Sequence, residues 1–265
     1  MPETKVIGAR LGANLIKPLL YNLNIEWTGT SSVRIFSGAI IGAIDGSDIL
    51  EVASDLNIDG TTSGVGGLDT GSLAVSTWYA IWLVKDPSTE VVGGVLSASF
   101  SSPSVPSTYK KRRIGAVYNK SSGGFRNFKQ YGDKIIVRDT DKRLVLNSAL
   151  PIRTWYSVDL TTWIPTSFQS VTIEGSMEAD DRVMYVHYNN TDTLPTSNLT
   201  QGMQNVTGTI MIEVINDGSL KVSNTNVLTD FPLPSRILYY YLNRFGSSAA
   251  NPYSALVLLA YRDNL

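Results

Sequence analysis

The chain has 265 residues, of which 43% are hydrophobic and 17% charged, with a formal net charge of −1 and no cysteine. This apolar content suffices for a core, and all-β sandwiches of this length often form one unit. The balanced charge argues against a nucleic-acid or anionic-membrane partner, and the lack of cysteine excludes disulfides, thiolate metal sites and cysteine nucleophiles. No apolar run approaches ~18 residues, and residues 1–20 lack a signal-peptide pattern, so we expect no membrane insertion.

Residues 1–20 have only partial helical spacing, which Pro18 and the glycines weaken. We interpret this segment as a short N-terminal arm that docks onto a partner.

From residue 21 onward, β-branched and aromatic residues cluster or alternate, as is typical of strands. In 76–84, Trp82 and Tyr79 fall on opposite faces and both faces are apolar, so we expect burial on both sides, in a sandwich or under a neighbouring subunit. The pattern predicts an all-β, antiparallel, jelly-roll-like β-sandwich over 21–265, and a division into two subdomains near residue 150 is left open. Predicted strands cover 22–27, 32–44, 48–59, 76–84, 90–100, 112–119, 124–132, 134–139, 142–147, 154–165, 167–177, 182–190, 207–217, 219–227, 235–245 and 253–263.

The tetrapeptide Asp69-Thr70-Gly71-Ser72 has the letters of an aspartic-protease active-site loop. Such a site needs two carboxylates that share one proton, and the chain holds no second copy of the motif. Glycines precede Leu68 where an apolar strand should lead into a catalytic loop. We therefore predict a turn in which the Asp69 side chain caps local backbone donors, and no catalytic residue.

Two further segments imitate sites. The run from Asp55 to Gly60 matches the first half of an EF-hand loop, but Gly66 stands at the position that requires a bidentate glutamate, so we predict no metal site. The basic cluster of residues 110–113 is expected to be a solvated loop or strand start. His187, the only histidine, is expected to be an ordinary strand residue, and no cofactor motif is present.

Aromatic residues are the best binding candidates. The run Tyr239-Tyr240-Tyr241 precedes Arg244, and strand alternation directs Tyr239 and Tyr241 to one face and Tyr240 to the other. Such residues stack on sugar rings or fill interfaces. Tyr239, Tyr241 and Arg244 are therefore the candidate binding residues, with core or interface packing as the alternative.

Several motifs between about residues 30 and 180 resemble tailed-phage and prophage virion proteins of the tail-fibre, tail and head-fibre kinds. The shared elements are "GLDTGSLA" followed by "TWY", a Ser-x-x-Pro-x-x-Pro-x-x-Tyr loop from Ser101 to Tyr109, then "RRIGAV", "FKQYGD" and "WYSVDLTTWIP". The resemblance implies a non-enzymatic, β-rich virion component, made in the host cytoplasm and assembled as a homotrimer with other tail or capsid proteins. A tail-fibre or tail-tip module that contacts the host surface is the leading expectation, with a host-surface glycan as a candidate partner. A capsid-decoration or head-fibre protein and a glycan-binding or depolymerising β-protein are the alternatives.

Overall fold

The computed structural model describes the backbone of residues 19–139, 143–147, 154–178, 182–187, 209–214, 223–244 and 253–265. These residues contain nineteen strands and no helix, so no helix in this part of the chain could cross a membrane. Every strand pair with a defined register is antiparallel. The predicted all-β, antiparallel, sandwich-like class is confirmed.

The first of two compact units contains the described residues up to Asp139 together with Asp263–Leu265. Its strands are β1 (Leu20–Tyr21), β2 (Asn24–Trp27), β3 (Ser32–Ile35), β4 (Ile40–Gly42), β5 (Ile49–Glu51), β6 (Leu56–Asp59), β7 (Thr77–Lys85), β8 (Val92–Ser97), β9 (Lys110–Asn119), β10 (Phe128–Tyr131) and β11 (Lys134–Val137). They pair in the orders β1-β4-β5, β8-β7-β9 and β11-β10-β2-β3-β6.

The second unit runs from Thr140 to Arg262. Its strands are β12 (Arg143–Asn147), β13 (Thr154–Asp159), β14 (Phe168–Glu178), β15 (Arg182–His187), β16 (Thr209–Val214), β17 (Ser223–Pro232), β18 (Ile237–Arg244) and β19 (Tyr253–Asp263), whose last residue belongs to the first unit. One sheet has the order β13-β18-β15-β16, and a second series runs β17-β14-β19 with β12 also on β19. The division between residues 139 and 140 lies about ten residues before the position suggested by the sequence.

Two sheets of the first unit pack face to face, and glycines allow their close approach. A β-carbon added to Gly94 of β8 would lie 2.4 Å from Cδ1 of Ile58 in β6, and one added to Gly115 of β9 would lie 2.4 Å from Oε1 of Gln130 in β10. Gln130 is fully buried, and its amide donates to the Ile114 carbonyl at 2.6 Å. The sheet β8-β7-β9 therefore lies directly on the sheet that contains β10 and β6.

The central strand β7 is buried on both faces, as predicted. Tyr79 lies near Phe125, with ring centroids 6.5 Å apart, whereas the face of Trp82 lies under the loop that follows β8, where Phe100 and Val105 pack against it. Strand β7 therefore has a second sheet on one side and a long loop on the other, all within one chain.

Two long predicted strands are each divided. The predicted strand 32–44 separates into β3 and β4 around Gly38, whose φ of 86° lies in the left-handed region that glycine adopts without strain. The predicted strand 48–59 likewise separates into β5 and β6. Residues 1–18 of the predicted arm lie outside the described residues, and its last residue, Leu20, pairs with Ile41 in a sheet.

Candidate functional site

The segment that precedes and includes the protease-like tetrapeptide lies along β8 and hydrogen-bonds to it, at the edge of the sheet β8-β7-β9. The Gly66 N–H donates to the Gly94 carbonyl at 2.7 Å, and the Asp69 N–H donates to the Leu96 carbonyl at 2.8 Å. A β-carbon at Gly67 would lie 2.3 Å from the Thr62 carbonyl oxygen. The glycines before Asp69 thus permit a tight backbone approach.

Asp69 does accept a backbone hydrogen bond, but the prediction that the donor is local is wrong. One carboxylate oxygen of Asp69 accepts the backbone N–H of Ser104 at 2.7 Å, 35 residues away in the proline-punctuated loop. The other oxygen is buried and has no hydrogen-bond partner among the described residues. The carboxylate fastens a distant loop, which no local turn pattern could indicate.

The same loop is tied down at two more points. The Trp82 indole donates to the Ser99 carbonyl at 3.1 Å, and the Tyr109 hydroxyl donates to the Asp86 carboxylate at 3.2 Å. Strand β9 begins directly after Tyr109 and pairs with β7 along nearly its whole length. Four of the six motifs that resemble virion proteins, namely "GLDTGSLA", "TWY", the Ser101–Tyr109 loop and "RRIGAV", therefore contact one another in a single packed module, which we call the β7–loop module (residues 66–119).

The aspartates Asp55 and Asp59 of the EF-hand-like run accept hydrogen bonds from other protein groups. Asp59 accepts the backbone N–H and the hydroxyl of Thr61 and the hydroxyl of Ser31, and these bonds lower the pKa of Asp59. Asp55 accepts the backbone N–H of Ser37. Among the described residues, no group of three or more acidic or histidine side chains could hold a metal ion.

The basic cluster differs from its prediction at the arginines. Lys110 lies beside Asp45 at 3.2 Å in a partly exposed pair, but Arg112 and Arg113 are buried. Burial lowers the pKa of Arg112, and the neighbouring positive charge of Arg113 lowers it further. The cluster is a strand start, one of the two predicted alternatives, since β9 begins at Lys110, but its two arginines lie in the interior of the first unit rather than in solvent.

Arg113 has a buried counter-charge. It donates to both carboxylate oxygens of Asp263, at 2.6 and 3.3 Å, and to the Asn264 carbonyl. The Asp263 side chain is 0% exposed. Phe100 lies under the guanidinium, with its ring centroid 5.5 Å away.

The candidate binding residues lie on β18, a central strand of the sheet β13-β18-β15-β16, but not all on one face. Tyr239 is opposite Ser157 and His187, and Tyr241 is opposite Trp155 and Tyr185. Since side chains alternate along a strand, Arg244 falls on the same face as Tyr240, away from Tyr239 and Tyr241. The structure brings the two tyrosine positions together and separates the arginine position from them.

The face with Tyr240 is the core face of this sheet. Tyr240 is buried and stacks on Tyr156, with ring centroids 5.2 Å apart and planes 23° apart. Burial, together with the neighbouring Tyr156, raises the pKa of Tyr240 to about 12. Leu238 and Val158 lie buried on this side as well.

The opposite face is the candidate site, and we call it the aromatic face. Ser157 and Asp159 are exposed on it, Ile237 is 37% exposed, and Tyr239 is half-buried. The register adds two aromatic positions that the sequence patterns did not single out, because they lie on neighbouring strands. Its defining positions are Trp155, Ser157, Tyr185, His187, Tyr239 and Tyr241.

Comparisons of the chain with protein-family models, with curated proteins and with solved structures found no match.

Proposed function

We propose that the chain is a non-enzymatic structural component of a tailed-phage virion, a tail-fibre or tail-tip module that contacts the host surface. The observation that supports this is the β7–loop module, in which four of the six virion-like motifs pack against one another. Asp69 holds the loop, Trp82 lies beneath it, and β9 follows from it. These hydrogen bonds and core contacts among the motifs support an architectural role.

The partners proposed with this role are two further copies of the chain in a homotrimer and other virion proteins. A capsid-decoration or head-fibre protein is the second candidate. It is favoured by the sequence, which shows no internal repeat, whereas a fibre shaft needs an extended repeat.

The location is tested by immunogold labelling of purified phage particles with an antibody against this chain. Gold on the tail is the expected result, and gold on the capsid would favour the second candidate. Particles that lack the chain, verified by mass spectrometry, would overturn both. Light scattering of the purified protein should give three times the 28.9 kDa chain mass, and a monomer would refute the trimer.

The architectural role of Asp69 is tested with two substitutions. Asp69→Asn retains an oxygen that can accept the Ser104 N–H, so the free energy of unfolding should stay within about 1 kcal/mol of wild type, whereas Asp69→Ala should lose about 1 to 2 kcal/mol. Urea unfolding measures both. Pepstatin-sensitive peptide hydrolysis by the wild type that disappears in Asp69→Asn would contradict the non-enzymatic role.

A further inference from the structure

We propose that the outer face of the sheet β11-β10-β2-β3-β6 binds a linear acidic polysaccharide in which a carboxylate-bearing sugar alternates with a neutral one. Two pairs of a cation with an aromatic ring, one on β10 and one on β3, hold successive carboxylate-bearing sugars. The inference deepens the proposed contact with the host surface, on which it rests only for the origin of the ligand. We call this surface the cation–aromatic face, and its residues are Asn24, Glu26, Arg34, Phe36, Lys129 and Tyr131.

This face points away from the core of the first unit. On the core side of the same strands, Ile25, Ile35 and Gln130 are fully buried, and Gln130 lies against Gly115 of the second sheet. Because side chains alternate along a strand, the residues on either side of these three point outward. Tyr131 is 45% exposed, and the other five residues of the face are partly exposed.

On two strands of this face a cation lies over the aromatic ring two residues further along the chain. Nζ of Lys129 is 5.1 Å from the ring centroid of Tyr131, and Cζ of Arg34 is 5.9 Å from the ring centroid of Phe36. The Arg34 Nε also donates to the Asn57 side chain at 3.2 Å, which orients the guanidinium. Each pair thus sets a positive charge beside an apolar ring. An acidic sugar needs this combination, because its carboxylate binds a cation and its C–H face packs on a ring.

The two pairs are related by a translation across the strands. Strands β10 and β3 each pair antiparallel with β2, so they run in the same direction and both pairs are oriented alike. Lys129 and Arg34 are both opposite Glu26. With neighbouring strands about 4.8 Å apart, their backbone positions are about 10 Å apart, the length of a disaccharide. A linear polymer with a disaccharide repeat matches this spacing.

The alternation of charge favours this polysaccharide over a nucleic acid. Neither Lys129 nor Arg34 forms an ion pair with another described residue, and one carboxylate over each of them is complementary. The neutral sugar then lies over Glu26 and Asn24, whose side chains accept and donate hydrogen bonds as sugar hydroxyls require. A nucleic-acid strand, with one charge per about 3.4 Å, would place phosphates over Glu26.

The charges at the two ends of the sheet give the ligand a direction. Lys134 of β11 is opposite Tyr131 and extends the positive side. At the other end, Asp55 and Asp59 accept hydrogen bonds from protein groups. The polysaccharide therefore extends from β3 towards β11 rather than over β6.

The chain's own first 18 residues are a poor occupant for this face. They carry three basic residues, Lys5, Arg10 and Lys17, against one acidic residue, Glu3. Like charges across an interface are unfavourable, so a segment of this composition does not complement Lys129 and Arg34.

The test measures, by calorimetry at low salt, the binding of the full-length chain to an octasaccharide of alternating glucuronate and N-acetylglucosamine. The matched neutral probe is the same octasaccharide with its carboxylates reduced to alcohols. We expect the acidic probe to bind about tenfold or more tightly than the neutral one, with an affinity that falls as the salt concentration rises.

Variants of the two pairs locate the site. Lys129→Ala, Arg34→Ala and Tyr131→Ala should each weaken binding of the acidic probe by about tenfold. The matched control is Lys110→Ala, because the Lys110 side chain is also partly exposed, at 33%, but lies on β9 of the other sheet. This control should bind like wild type. Circular dichroism verifies folding, and Arg34→Ala, on a different strand, keeps the test valid if Lys129→Ala does not fold.

Four results would overturn the inference: no binding of the acidic probe at millimolar concentration, equal affinity for the two probes, equal loss of affinity in Lys110→Ala, or tighter binding of an oligothymidylate of equal charge. A change of oligomeric mass in Arg34→Ala, without binding of the acidic probe by the wild type, would instead identify the face as a subunit contact. Because these measurements use purified protein, they can fail while the chain is found on the virion, and the reverse also holds.

Discussion

Removal of the charge at Asp263 should destabilise the protein far more than the same change at an exposed carboxylate. In Asp263→Asn the side chain keeps its shape and one acceptor oxygen, but an NH₂ group now faces the Arg113 guanidinium. One charge-assisted hydrogen bond, about 1.5 to 3 kcal/mol, is lost. The Arg113 guanidinium also loses this buried carboxylate, while its own side chain is only 10% exposed.

Breaking one side of a buried ion pair costs about 3 to 5 kcal/mol, and we expect a loss in that range. The Asn264 carbonyl and the Phe100 ring remain near the guanidinium and keep the loss from exceeding it. For a chain of this size the melting temperature should fall by roughly 6 to 20 °C. Urea unfolding followed by tryptophan fluorescence gives the free energy directly.

The chain offers a matched control in the pair of Arg262 with Asp230. This pair has the same chemistry, with contacts of 2.7 and 3.4 Å, but its side chains are 36% and 52% exposed. Asp230→Asn should cost at most about 1 kcal/mol, and its effect should shrink further in high salt. Asparagine also tolerates the φ of 52° at this position.

Equal losses in Asp263→Asn and Asp230→Asn would refute the assignment of a buried pair. A further check is the double replacement of Arg113→Met with Asp263→Leu, which removes both charges together. It should be clearly more stable than Asp263→Asn, since an apolar pair of similar volume often replaces a buried ion pair at little cost.

Two other predictions concern sheet packing and acid stability. Gly94→Ala should lower the free energy of unfolding by about 1 to 3 kcal/mol, because the added methyl group overpacks against Ile58. Gly93→Ala is the control: its methyl group meets only the exposed Val65 side chain, so the free energy of unfolding should stay within about 1 kcal/mol of wild type. Equal effects of the two substitutions in urea unfolding would contradict the sandwich packing. The pKa of Asp45 is lowered from 3.8 to about 2. The largest cause is the hydrogen bond from the Ser47 hydroxyl, and hydrogen bonds from the Ser47 N–H and from Lys110 add to it. A lowered carboxyl pKa stabilises the fold above pH 3.8 and loses that contribution as the pH falls towards 2. Asp45→Asn should therefore be less stable than wild type at pH 6, with a gap that closes near pH 2 in parallel unfolding curves, and a gap unchanged at pH 2 would contradict this account.

The candidate site was predictable only in part. Alternation along one strand correctly separated Tyr239 and Tyr241 from Tyr240, because the period of two is a local property of the chain. The same rule applied to Arg244 would have placed it with Tyr240. Trp155 and Tyr185 could not be joined to the site, because their positions depend on strand pairing across 86 and 56 residues of sequence, the separations from Tyr241.

The amino-acid sequence by itself determined the all-β class, the existence of most strands and the double-sided burial of β7, since these depend on local periodicity and on apolar content. Only the tertiary structure decided that Asp69 holds Ser104, that Arg113 lies buried against Asp263, and that three aromatic positions form one row. These contacts join residues far apart in the chain. Their partners are set by register and by sheet packing, and neither leaves a signature in the neighbouring residues.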